Sequence, residues 1–233
     1  MSKTPRNRSS SRSAAEPARP GKAKLDRQRR IREASRALFM SKGFEETTVR
    51  EIAHMADVAQ GTLFLFANSK RDLLFMLFND VLEDATRDVQ ELAEADISIM
   101  EYLMNIALDH LVRLTDDLVI ARAALGHLNN YDRSEQSTRF REIYSGTTGA
   151  IAQRFRQAGE TGELRASFDP ESMASMAQAL IIESYRNYIW ADIPDIRGAM
   201  RRLFAQIEVM LRGLEPSDKA LSIASPALLD WKS

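Results

Sequence analysis

The sequence predicts an all-α protein. Apolar residues recur with the 3.6-residue period in segment after segment, and the breaks between segments carry helix caps and stops. No stretch alternates apolar and polar residues as a half-buried strand does. The chain has 233 residues, enough for one large domain or two small ones. With 44% hydrophobic and 28% charged residues, it has the composition of a soluble globular protein.

Residues 1–22 are rich in Ser, Arg, Pro and Ala and almost free of bulky apolar side chains, which predicts a disordered basic arm. The first helix is expected over 25–41, with Ile31, Ala34, Leu38 and Phe39 as its apolar stripe and Gly43 as its stop. Thr48 and Glu51 have the spacing of a capping box and open a short helix to Ala56. Asp57-Val58 breaks it, and a second short helix is expected over 59–66. Ser69 then caps a long helix to about residue 93, with Asp72 at its third position. Amphipathic segments follow at about 98–115, 117–129 and 134–158. Asp169-Pro170 starts a helix running to about 190, and the last helix spans about 195–213. Pro216 and Pro226 predict a loose tail over 215–233.

Charge is unevenly distributed. Residues 1–32 hold eleven Lys or Arg against Glu16 and Asp26, while the chain as a whole has a net charge of −1. A basic end on an acidic body points to a polyanionic partner. Cys is absent, which excludes disulfides, thiolate metal sites and cysteine nucleophiles. Three His without a clustered carboxylate argue against a transition-metal site, and no cofactor is expected. A nucleophile elbow, a phosphate loop and H-E-x-x-H are all missing, so an enzyme is not expected. No apolar run reaches the ~18 residues of a membrane span. The N-terminus lacks the apolar core of a secretory signal, so a cytoplasmic protein is expected.

Two short helices joined by a tight turn, close behind a longer one, outline a helix-turn-helix. Thr48, Arg50, Ile52, Ala53, Ala56, Val58, Gly61, Lys70 and Leu73 fall where the DNA-binding domain of the TetR family of bacterial transcriptional regulators has its pattern. The chain resembles that family over about residues 25–75. The resemblance implies a three-helix helix-turn-helix DNA-binding domain over 23–69, followed by a larger helical ligand-binding and dimerisation domain over 70–214. It departs from the pattern in six places, one of them Leu65, where many relatives have a polar residue. Asp57 stands where the family has a turn Gly, and Ala59 where it has a Ser or Thr cap. Phe64 and Phe66 replace aromatic residues that donate hydrogen bonds to phosphate, and Ala67 replaces a Phe.

The resemblance implies a double-stranded DNA operator as partner, a small-molecule effector and a homodimer. Thr48, Arg50, Ala59, Gln60, Gly61, Thr62, Phe64, Phe66 and Lys70 are its expected DNA contacts. Gln60 leads as base reader, because its amide can pair bidentately with adenine. Thr48 and Lys70 are expected at phosphate, and Leu65 is expected to pack. Met100, Leu103, Met104, Leu108, Leu111, Phe140, Tyr144 and Tyr185 are the expected ligand lining. Met173, Met176, Leu180, Met200, Leu203, Phe204 and Ile207 are the expected dimer surface. The expected activity is that of a repressor on a pseudo-palindromic operator, released by a small apolar or aromatic effector through the helix over 70–93. The alternative is a helical dimeric ligand- or protein-binding module that has lost specific operator binding.

Overall fold

A computed structural model describes residues 21–92, 97–127, 134–164 and 168–213. The expected arm, apart from Gly21 and Lys22, and the expected tail lie outside the described residues. Among these residues every regular element is a helix. α1 (Lys22–Glu46) buries Ile31, Ala34, Leu38 and Phe39, the stripe read from the sequence. It begins three residues before the expected start. It kinks at Gly43, whose φ of 83° with ψ of 166° is open in practice only to glycine.

α2 (Val49–Met55) is opened by the capping box. Thr48 Oγ1 accepts from the Glu51 N–H at 3.2 Å, and Glu51 Oε2 accepts from the Thr48 N–H at 2.8 Å. α3 (Gln60–Leu63) is shorter than expected, and the chain continues to Phe66 in tighter turns. Its start lacks a side-chain cap at Ala59, and Gly61 is a poor helix former.

α4 (Lys70–Leu92) starts at Ser69, whose Oγ accepts from the Asp72 N–H at 3.1 Å. α5 (Ile99–Asp116), α6 (Leu118–His127), α7 (Glu135–Glu160), α8 (Pro170–Ile189) and α9 (Ile196–Arg212) follow close to their expected limits. Ser98, Ser134 and Asp169 cap α5, α7 and α8 through side-chain oxygens.

α1, α2 and α3 form one unit, and α1 also lies on α4 and α6. α4 packs on α5, α6 and α7, α7 packs on α8, and α9 closes over α5 and α8. The buried apolar residues form one continuous cluster, from Ile31 in α1 to Ile207 in α9. The helix-turn-helix is therefore built into the same core as the larger helical part. Polar links reinforce that continuity. Arg32 of α1 donates to Asp80 of α4 at 2.8 Å, and Arg139 of α7 grips both Asp80 at 2.8 Å and Glu83 at 2.5 Å. Arg139 holds the Glu83 carboxyl below its usual range, mainly through their hydrogen bond.

Candidate nucleic-acid interface and ligand cavity

The turn between α2 and α3 is held by an unusual residue. Asp57 has φ of 51°, the one positive value outside glycine among the described residues. Asp tolerates this left-handed conformation better than most side chains, at a modest cost. Arg30 of α1 reaches across to the turn and donates to the carbonyls of Ala56 at 2.8 Å and Asp57 at 3.0 Å. These carbonyls lie past the end of α2, where no intrahelical partner exists. Sequence reasoning placed Arg30 only in the basic segment. Its structural role is to fix the crossing of the two short helices.

Arg50, Ala59, Gln60, Gly61 and Phe64 are exposed, and Thr62 and Phe66 are half-buried. Ile52, Ala53, Ala56 and Leu63 are buried beneath them. α3 therefore presents Gln60 and Gly61 outward from a packed base. Leu65, expected to pack, is 81% exposed, because it lies in the turn beyond the last residue of α3. A surface depression brings Thr62, Leu65 and Phe66 against Lys24 and Arg27 of α1. Sequence reasoning counted these two cations but did not place them beside α3, since nothing in a linear sequence ties residue 27 to residue 62.

Thr48 is exposed, and its hydroxyl is engaged with Glu51. Lys42 also binds Glu51 at 2.6 Å, and the Lys42 and Thr48 bonds together hold the Glu51 carboxyl down to about 2. Lys70, expected at phosphate, has its ammonium committed within the protein. It donates to the carbonyls of Phe44 at 2.7 Å and Glu45 at 2.9 Å, and it sits 4.4 Å from the centre of the Phe44 ring. It thus closes the end of α1 beyond the Gly43 kink.

The larger helical part encloses a cavity of about 650 Å³ between α4, α5, α6, α7 and α8. This lies within the usual range for small-molecule sites, about 300–1,000 Å³. Phe140, Tyr144 and Tyr185, expected at a ligand, line this cavity. Met100, Leu103, Met104, Leu108 and Leu111 do not. Leu103 and Leu111 are fully buried in the core, and Leu108 is exposed on the outside of α5. The α5 face turned to the cavity is instead Ile106, His110 and Leu114, spaced four apart and so on one side of the helix. α4 contributes Phe78, Leu82 and Thr86, which sequence reasoning assigned to a lever and not to the lining. Arg141 and Arg186, both exposed, bring positive charge to the rim.

On α8 and α9, Met176 and Phe204 are exposed, and Met173, Leu180 and Met200 are half-buried. Leu203 and Ile207, expected to meet a second copy, are completely buried within the protomer and have no surface to offer one. They occupy the inward stripe of α9, where the period that marks an interface also marks a core. Trp190 and Ile193 add exposed apolar surface beyond the end of α8.

Residues 31–77 match the family profile described as bacterial regulatory proteins, tetR family. The chain is 23% identical over 179 residues to the Fatty acid metabolism regulator protein of Bacillus subtilis (strain 168), covering 73% of this chain and 88% of that protein. Its fold is similar to FadR from Bacillus subtilis solved in complex with stearoyl-CoA, with a TM-score of 0.64, 19% identity, and 81% of this chain and 100% of that chain covered. It is also similar to Thermus thermophilus FadR in complex with lauroyl-CoA, with a TM-score of 0.63, 23% identity, and 85% of this chain and 98% of that chain covered. Residues 31–77 thus carry the helix-turn-helix profile of the TetR family of bacterial regulatory proteins, set in a fold similar to that of the two FadR structures.

Proposed function

We propose that this regulator is a repressor that binds a pseudo-palindromic operator as a homodimer and is released by an apolar, acyl-bearing effector. The observation that carries the reading is the joining of two features in one core: an outward-facing α3 and a large apolar cavity. Two links connect them. The Arg32–Asp80–Arg139 chain ends beside the cavity residue Phe140. The Phe44–His127 ring contact, 4.9 Å between centroids, ends two residues from the cavity residue Leu125. A ligand that changes the packing of α4, α6 or α7 therefore acts on the elements that carry α1. Such a ligand must differ in affinity between the two arrangements for the coupling to exist.

Gln60 and Thr62 supply groups for base edges, and the basic side chains Lys24, Arg27 and Arg50 supply charge for phosphate. The acyl class rests on the apolar lining, on the rim arginines and on the ligands named for the similar structures. Met176, Phe204, Trp190 and Ile193 are the apolar surface offered for a second copy.

The alternative, a ligand-binding dimer without operator recognition, is favoured by Phe64 and Phe66, which have no donor for phosphate. Lauroyl-CoA and stearoyl-CoA titrated against a protein–DNA complex, formed on sites selected from a random pool, test the main reading. Release at micromolar ligand supports it. Complexes that persist at saturating ligand contradict the acyl effector, and a pool without enriched sites contradicts operator recognition.

A further inference from the structure

The wall of the cavity holds two buried polar side chains that are neighbours, and one of them has a hydroxyl without a protein partner. His110 and Tyr185 stack nearly parallel, with ring centres 5.5 Å apart and planes 13° from each other. Both are more than nine-tenths buried, and both line the cavity. The Tyr185 hydroxyl has no hydrogen-bond partner. His110 Nδ1 lies 2.8 Å from the Ile106 carbonyl, which can only accept, so Nδ1 carries the proton. Nε2 is then a bare acceptor in a neutral ring, and burial holds the imidazole below its usual pKa. The other buried polar groups of the lining are occupied. Thr86 and Thr147 bond each other at 3.0 Å, and Gln178 is tied to the Tyr144 carbonyl and to Thr148.

The stacked pair thus carries one unpaired donor, Tyr185 O–H, and one acceptor, His110 Nε2. The complementary ligand group both accepts and donates. A ketone satisfies the tyrosine alone. A carboxylate satisfies the tyrosine alone and brings a charge into a neutral apolar wall.

We propose that the cavity recognises an alcohol hydroxyl carried on an apolar chain or ring, held between Tyr185 O–H and His110 Nε2. This deepens the ligand-responsive reading above and rests on it for the cavity, though not for the acyl class.

Calorimetric titration of the full chain with matched probes tests it. One set is lauroyl-CoA against 3-hydroxylauroyl-CoA and 12-hydroxylauroyl-CoA, and the other is cyclodecanol against cyclodecanone. The expected result is about tenfold tighter binding of at least one hydroxylated acyl-CoA than of lauroyl-CoA, and of cyclodecanol than of cyclodecanone. Tyr185→Phe is expected to erase that gap while changing lauroyl-CoA affinity less than about twofold. It should melt no lower than the parent, since the hydroxyl it removes is unpaired. His110→Phe, which keeps the stacked ring, should lower cyclodecanol affinity toward that of cyclodecanone. Equal affinity within both sets, or equal losses for every probe in Tyr185→Phe, overturns the proposal. Acyl-CoA binding without any Tyr185 dependence overturns it and leaves the acyl reading intact. Tyr185-dependent binding of cyclodecanol alone supports it and removes the acyl reading.

Discussion

His127, the last residue of α6, places its ring 4.9 Å from that of Phe44, just beyond the kink in α1. Arg71, at the start of α4, donates to the His127 carbonyl at 3.2 Å. One residue therefore touches α1, which anchors the helix-turn-helix, and α4, one of the helices that line the cavity. Leu125, one turn-half earlier on α6, faces that cavity.

Replacing this contact should separate binding from response. His127→Ala is expected to keep DNA affinity without ligand, while the ligand-induced weakening shrinks by about 0.5–2 kcal/mol. DNA affinity measured with and without saturating acyl-CoA reads this directly. An unchanged ratio of the two affinities would mean that coupling bypasses α6.

The backbone at two positions should respond in opposite ways. Asp57→Gly relieves a left-handed non-glycine residue and is expected to raise stability by up to about 1 kcal/mol. Gly43→Ala forces a side chain into a region reserved for glycine and should cost about 1–3 kcal/mol. Chemical denaturation of the two variants decides the matter, and a loss in Asp57→Gly would show that the Asp57 carboxylate, 3.3 Å from the Arg30 guanidinium, outweighs the strain.

Acid should loosen the capping box. Glu51 ionises near 2 in the folded protein against an ordinary value of 4.5. The folded state therefore binds fewer protons between these values. Its contribution is present in full above pH 4.5 and is lost as the pH falls toward 2. Glu51→Gln should show a shallower loss of denaturation midpoint from pH 5 to pH 3 than the parent. Parallel slopes would mean that Lys42 and Thr48 do not hold the carboxylate in solution.

The fold was legible because its signals are local. The Thr48–Glu51 box, the Gly43 stop, the Ser69 cap and Asp169-Pro170 each act within four residues, and each stands where expected. The contents of the cavity were less legible. On α5, the Met100, Leu103, Met104 and Leu111 stripe and the Ile106, His110 and Leu114 stripe are both apolar enough to be inward. Which of them meets the cavity depends on how α4 and α7 are placed. Leu203 and Ile207 misled for a related reason: an apolar stripe on α9 is consistent with either a core or an interface, and only burial separates the two. Arg30 was read only as part of the basic segment, and Lys70 was expected at phosphate by resemblance. Their carbonyl partners lie 26 residues away in the chain, beyond any periodicity.

A second copy is expected to cover the outer face of α8 and α9. Phe204 is 44% exposed there, while its neighbour Leu203 is wholly buried. Phe204→Glu should convert a dimer to monomer at micromolar concentration without unfolding the protomer, as read by sizing with light scattering and by circular dichroism. A variant that stays dimeric would move the interface to another face.

Operator recognition by α3 is the central claim, and selection from a random double-stranded DNA pool at two salt concentrations tests it most directly. The account predicts an enriched inverted repeat whose affinity falls steeply with salt. It also predicts that Gln60→Ala shifts preference at one base pair per half-site by about 1–3 kcal/mol. Salt-sensitive binding with no enriched sequence, or a preference that Gln60→Ala leaves untouched, would contradict it.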